Sequence, residues 1–254
     1  MCGTCGCGES DVRVQALVDG HRPENGTGHG HPHDPLPGVV EIETALLAKN
    51  DHLAGHNRTW LADRGIVALN LMSSPGSGKT SLLRRTITEL ATLRPIAVFE
   101  GDQETRIDAE KIRSTGAPVV QINTGAGCHL DADMLARGLA ELRPEAGSLV
   151  FIENVGNLVC PALFDLGEAA RVVVVSVTEG EDKPVKYPYM FSVADVVVIN
   201  KIDLLPYVDV QLGRLVAHCR SVNAGVRVLP LSVTTGEGMG AWRDWLLTSA
   251  PAAV

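Results

Sequence analysis

The sequence predicts an α/β domain: a doubly wound, mainly parallel sheet of about seven strands, preceded by a flexible metal-binding tail. Three observations carry that reading. From Ile66 onward, short apolar runs alternate with helix-length segments, the pattern of right-handed βαβ crossovers. The 254 residues are 45% hydrophobic but only 4% aromatic, so the core is built from Val, Leu, Ile and Ala, which suit strands buried on both faces. A Gly-rich segment, Ser73 to Thr80, follows the first apolar run and opens a helical segment, the strand–loop–helix setting of a phosphate-binding loop.

Residues 1–38 read as the tail. Cys2, Cys5 and Cys7 stand at the chain start, and His21 to Gly38 is rich in Gly, Pro and His, with too little apolar surface to offset chain entropy. The globular domain is predicted over residues 39–254. It opens with a helix from Val39 to Arg64, whose Val40, Leu47, Asn50 and Ala54 share a face. Predicted strands follow at Ile66–Ser73, Ile96–Glu100, Pro118–Asn123, Leu149–Glu153, Val172–Val177, Val196–Asn200 and Val226–Leu231. Helices are predicted at Lys79–Leu93, Thr105–Thr115, Leu130–Leu142, Val208–Asn223 and Met239–Ser249. No internal repeat is evident.

Charge narrows the partners. Twenty-two basic against 30 acidic residues leave a formal charge of −8, so no global field draws nucleic acid or anionic lipid. No run approaches the roughly 18 apolar residues of a membrane span. Met1 to Glu9 lacks the basic and apolar regions of a secretory signal. A cytoplasmic protein is expected, and six cysteines there point to metal, catalysis or core rather than disulfides.

In the Gly-rich loop, Gly76 and Gly78 let backbone N–H groups of Gly76 to Ser81, including Ser77, face phosphate oxygens. Lys79 reaches the β- and γ-phosphates, Thr80 can ligate Mg²⁺, and the helix N-terminus adds its dipole. Ser73 stands where the first Gly of such loops is usual. Asn200-Lys201-Ile202-Asp203 ends a later strand and resembles the N-K-x-D motif that reads guanine. The Asp203 carboxylate accepts from guanine N1–H and the 2-amino group, while Lys201 lies along the base. Ser232, opening the loop after Val226–Leu231, resembles the last guanine-contacting element. Between these motifs, Asp102 and Glu153 end predicted strands, where carboxylates can hold Mg²⁺ and sense the γ-phosphate beside Gly156. Asp102 also reads as a helix N-cap. Lys79, Asp102 and Glu153 are thus the candidate catalytic groups. No glutamine stands where it would position water, so a low intrinsic hydrolysis rate is expected.

The thiols and imidazoles form a second set. Cys2, Cys5 and Cys7 form C-x-x-C-x-C, a metal-binding spacing to which the terminal amine can add a fourth ligand of a planar nickel site. A disulfide or an iron–sulfur fragment are the other readings of that spacing. His29, His31 and His33 form a loose His tract, either metal-binding or simply polar linker. Cys128-His129 lies in a Gly-rich loop, and Cys160 follows Gly156, both past strand ends where α/β sheets bind ligands. Two protomers contributing Cys128, His129 and Cys160 across a two-fold axis would complete a site. Pro161 biases Cys160 toward extended backbone. Cys219 shares a helical face with Leu212, Leu215 and Val216 and reads as core; His52, His56 and His218 read as exposed and idle.

Taken together, C-x-x-C-G-C, S-S-P-G-S-G-K-T, G-A-G-C-H-L-D, E-N-V-G-N-L-V-C-P and N-K-I-D resemble the hydrogenase nickel-incorporation accessory GTPases, the HypB family of the SIMIBI class. The resemblance runs from about Glu41 to Met239, plus the extreme N-terminus. It implies a GTPase that dimerises on GTP and delivers Ni²⁺ to a [NiFe]-hydrogenase large subunit with a second nickel accessory protein. It also implies a high-affinity nickel site at Cys2, Cys5 and Cys7, and a weaker interface site for Ni²⁺ or Zn²⁺ at Cys128, His129 and Cys160. Other readings are a nickel storage protein, a urease-type nickel GTPase, whose Cys-Pro-His is missing here, and a small-molecule P-loop kinase.

Overall fold

The computed structural model describes residues 37–102, 107–125 and 127–248; Cys2, Cys5, Cys7, His29, His31 and His33 lie outside them. The chain divides into two units, Met1–Leu46 and Leu47–Val254. In the first, the described residues are the opening turns of helix α1, which spans Pro37–Ala62 with Pro at its first position, where a missing N–H costs nothing.

The second unit contains the sheet. Its strands are β1 (Val67–Ser73), β2 (Ile96–Asp102), β3 (Val119–Asn123), β4 (Leu149–Glu153), β5 (Ala170–Ser176), β6 (Val196–Asn200) and β7 (Arg227–Pro230). All pairings are parallel, in the order β3-β2-β4-β1-β5-β6-β7. The predicted strand count and fold class stand. The order reverses about β1, so the phosphate loop that follows it sits at a topological switch point, where open α/β sheets bind ligands. β1 and β4 are buried along their full length, as expected of central strands with helices on both faces.

Helices α2 (Lys79–Leu90), α3 (Ile107–Arg113), α4 (Ala132–Leu142), α8 (Leu212–Val222) and α9 (Met239–Thr248) lie within the predicted segments. Three short helices were not predicted: α5 (Cys160–Leu163), α6 (Lys183–Lys186) and α7 (Pro188–Ser192). Each carries Pro in its first turn, so the prolines that argue against long helices here initiate single turns. Cys160 is accordingly helical, not extended: it opens α5, where Asn157 Oδ1 accepts from the backbone N–H groups of Val159 at 2.8 Å and Cys160 at 3.3 Å.

The core lies on both faces of the sheet. One face packs α2 and α9 through Leu82, Leu83, Ile87 and Trp242, with Trp242 Nε1–H donating to Thr86 Oγ1 at 2.9 Å. The other face divides around Met190, Phe191 and Leu215 on one side and Phe99, Leu130 and Leu135 on the other. Cys219 is fully buried, and burial pushes its thiol up to about 12, so it is core as expected and inert. His218 corrects its expectation: it is half-buried, and its Nδ1 lies 2.6 Å from the Glu181 carbonyl oxygen. Among the described residues no helix is long and apolar enough to cross a membrane.

Candidate functional site

The nucleotide half of the site is built from β1, β4 and β6. Gly78 adopts φ +103°, and a Cβ there would sit 2.4 Å from Asn200 Nδ2. Only glycine meets both demands. Asn200 Nδ2–H donates to the Ser77 carbonyl at 2.9 Å, and its Oδ1 accepts from the N–H of Lys201 at 2.7 Å and Val233 at 3.3 Å. Lys201 Nζ donates to the Gly76 carbonyl at 2.8 Å from a left-handed backbone, φ 62°. Such a conformation costs a non-Gly residue about 1–2 kcal/mol and marks functional turns. The two motifs, 120 residues apart in the chain, are thus bolted into one cradle. Asp203 Oδ1 is buried with no partner among the described residues, an acceptor left for a ligand. Ser232 is fully buried; its N–H donates to the Glu237 carbonyl at 2.9 Å and its Oγ accepts from the Thr235 N–H at 3.1 Å.

Lys79 points into a cavity of about 510 Å³ lined by residues that include Gly76 to Ser81, Glu100, Asp102, Glu153 and Gly156. Its ammonium donates to Ser73 Oγ at 2.7 Å, and burial drives it below the usual lysine range against the pull of Glu153. The serine in place of the usual glycine therefore anchors the lysine. Thr80 Oγ1–H donates to Glu153 Oε1 at 2.8 Å. Glu153 Oε2 and Glu100 Oε2 are both buried without a hydrogen-bond partner. Their residues are register neighbours on β4 and β2. Burial raises both carboxyls, and with the Glu153 charge beside it Glu100 is pushed up to about 8. Two hard oxygen donors and a hydroxyl around one cavity fit Mg²⁺. Glu100 was not among the expected site residues. Its signal was its place two residues before Asp102 at the end of a strand, and only strand pairing brings it to Glu153.

The metal half sits on the next loops. The ligand atoms of Cys128, His129 and Cys160 all lie within 4.8 Å of one another. Cys128 Sγ is 3.7 Å from His129 Nδ1. The His129 ring stacks on Phe164, centroids 3.8 Å apart, and burial lowers its basicity, which favours the neutral imidazole a metal needs. Two thiols and an imidazole suit nickel or zinc better than Mg²⁺. Geometry thus brings together the three residues that the sequence left 32 positions apart.

What holds the two metal loops together is α1. Asn57 Nδ2 donates to the carbonyls of Ala132 at 2.8 Å and Leu166 at 3.1 Å. Asn50 Nδ2 donates to the Asp165 carbonyl at 2.8 Å, while its Oδ1 accepts from the Ala132 N–H at 2.9 Å. Each asparagine therefore bridges the segment after His129 to the segment after Cys160. Arg58 pairs with both carboxylate oxygens of Asp165, at 2.8 and 2.7 Å. Gly167, at φ +87°, lies so close to α1 that a Cβ would meet the Ala54 carbonyl at 2.5 Å. A second link ties the metal loop to the nucleotide half. Asn154, next to Glu153, accepts on Oδ1 from the Leu130 N–H at 3.1 Å, and Leu130 follows His129 directly. Buried Asn70 and Glu168 continue the network to the Leu166 N–H, which donates to Glu168 Oε2 at 2.7 Å.

Residues 67–230 match the family described as CobW/HypB/UreG, nucleotide-binding domain. The hydrogenase maturation factor HypB of Escherichia coli K12 is 44% identical, over 98% of this chain and 99% of that protein. Among solved structures, HypB of Helicobacter pylori in complex with nickel superimposes with a TM-score of 0.76 at 34% identity, covering 80% of this chain and 95% of that one. HypB of Archaeoglobus fulgidus gives a TM-score of 0.75 at 41% identity, covering 81% of this chain and 100% of that one.

Proposed function

The chain belongs to the CobW/HypB/UreG family, on its HypB branch, and from that premise we propose that it is a GTP-hydrolysing nickel metallochaperone of [NiFe]-hydrogenase maturation. In this reading it binds Ni²⁺ and passes it, with a second nickel accessory protein, to the hydrogenase large subunit. GTP drives a symmetric dimer in which Cys128, His129 and Cys160 of two copies hold nickel or zinc. The tail, residues 1–38, carries a separate high-affinity nickel site at Cys2, Cys5 and Cys7, with His29, His31 and His33 as an accessory store. The work is cytoplasmic.

The nucleotide chemistry follows from the cradle. Backbone N–H groups of Gly76 to Ser81 and the N-terminus of α2 bind the phosphates. Lys79 moves from Ser73 Oγ to the bridging and terminal phosphate oxygens as charge develops there. Thr80 and Glu153, with Asp102 and Glu100 nearby, would hold Mg²⁺, which neutralises phosphate charge. Asp203 fixes guanine through its unpartnered acceptor, and Gly156 presents its N–H to the γ-phosphate. With no positioned glutamine, turnover is slow until a partner or the dimer orders the water.

One observation supports coupling of the two halves. Glu153 contacts Thr80 while its neighbour Asn154 holds the backbone beside His129, so a shift of β4's end on γ-phosphate binding bears on both sites. The test is sedimentation of the full chain with Cys2, Cys5 and Cys7 replaced by Ala, in GDP or a non-hydrolysable GTP analogue, with and without Ni²⁺. A dimer promoted jointly by the analogue and Ni²⁺ is expected. A monomer under all four conditions would contradict the reading and favour simple nickel storage in the tail.

A further inference from the structure

Helix α1 has two faces with different chemistry. Its buried stripe is Asn50, Ala54, Asn57 and Leu61, which fastens the metal loops. On the opposite, exposed side stand His52 and His56, one helical turn apart. Their Nε2 atoms face each other at 3.2 Å, with ring centroids 4.7 Å apart and planes at 73°. Neither ring packs into the core. The i, i+4 spacing alone makes them neighbours; what it does not require is that the two Nε2 atoms be the ones that meet.

That separation matches bidentate chelation. Two imidazole nitrogens held about 2.0–2.1 Å from one ion are about 2.9 Å apart at a right angle and about 3.4 Å apart at a tetrahedral angle. The observed 3.2 Å lies between the two. We propose that His52 and His56 form a further metal site on the outer face of α1, binding one borderline divalent cation such as Ni²⁺, Cu²⁺ or Zn²⁺. Imidazole pairs favour these ions over Mg²⁺ or Ca²⁺, with Cu²⁺ tighter than Ni²⁺. Water fills the remaining positions, so the site is open and exchanges its ion readily. It is independent of the Cys128 cluster and of nucleotide.

The experiment is a Ni²⁺ titration of the full chain read by diethyl pyrocarbonate modification of each histidine, resolved by peptide mass spectrometry. The readout is local, so metal held by the tail does not obscure it. His52 and His56 are expected to become protected together, at one Ni²⁺ midpoint. In His56→Ala, which leaves an exposed helix position with a better helix former, the midpoint for His52 should rise at least about tenfold, because the second ligand's effective concentration is lost. His52→Ala should do the same to His56. A smaller shift in either variant, or no protection of the pair in the parent chain, would leave the 3.2 Å contact as a hydrogen bond only and overturn the site.

Discussion

The phosphate cradle and the Cys128–His129–Cys160 cluster stand on loops of one sheet edge, yet they are assembled by different means. The phosphate-facing part of the cradle is contiguous: six successive residues, Gly76 to Ser81, line its cavity, where their backbone N–H groups would bind phosphate. The cluster is discontinuous. Cys160 is 32 residues from Cys128, and two asparagines of α1 bond to the segments that follow His129 and Cys160. A contiguous site survives loss of any remote support but fails with one central group. A bridged site can be loosened from a distance.

The sharpest contrast comes from Lys79→Ala. Hydrolysis should fall about 10²- to 10³-fold, by analogy with removal of one preorganised donor in a transition-state site. Metal affinity at the Cys128 cluster should stay unchanged in the nucleotide-free chain. Steady-state phosphate release and a competitive chelator titration check the two halves; joint loss would show that the halves are not separable. Asp203→Asn comes next. GTP should weaken by about 10²-fold and xanthosine triphosphate should gain, because the oxygen facing the guanine 2-amino group is replaced by an NH2 donor that suits the xanthine 2-oxo group. Equal competition curves for parent and variant would remove the guanine assignment.

Asn57→Ala tests the bridge itself. Ni²⁺ or Zn²⁺ affinity at the cluster should drop by about tenfold, the size expected when a supporting group of a metal site is removed. GDP affinity should hold within about twofold, since the side-chain hydrogen bonds of Asn57 go to Ala132 and Leu166, outside the cradle. Co²⁺ ligand-field spectra distinguish loosened ligands from general destabilisation, because only the former changes the band pattern of the protein that remains folded.

An effect on stability alone belongs to Glu100. Its carboxyl sits at about 8 in the folded chain against an ordinary 4.5, raised by burial and by Glu153. Between those values the unfolded chain ionises and the folded one does not, so stability declines as pH rises through this window. Glu100→Gln should remove that decline in the nucleotide-free protein. The gain over the parent, read by urea unfolding, should grow as pH rises from about 5 to about 8, by at most about 1.4 kcal/mol per pH unit. A gain independent of pH would place the cause elsewhere.

Legibility in the sequence followed the same division. Seven strands and six of the helices, α1 included, could be read from apolar patterning, because central parallel strands are hydrophobic along their whole length. The cradle could be read because its chemistry is written in adjacent residues. Glu100 could not: its approach to Glu153 depends on strand pairing between β2 and β4. Cys128, His129 and Cys160 were recognisable as candidate ligands, but the bonds of Asn50 and Asn57 that tie their segments together were not: Asn50 read only as one position on a helix face, and Asn57 carried no signal. Helices α5 to α7 escaped because single turns started by proline leave no periodicity.

In the proposed mechanism, nucleotide state and metal affinity are linked through the end of β4. The direct measurement is Ni²⁺ affinity of the full chain with Cys2, Cys5 and Cys7 replaced by Ala, taken in GDP and in a non-hydrolysable GTP analogue, for the parent and for Asn154→Ala. The account predicts a difference of at least about fivefold between nucleotides in the parent, the lower end of usual coupling energies. It predicts that the difference is lost when Asn154 no longer holds the Leu130 N–H. Equal Ni²⁺ affinity in the two nucleotide states of the parent would contradict it.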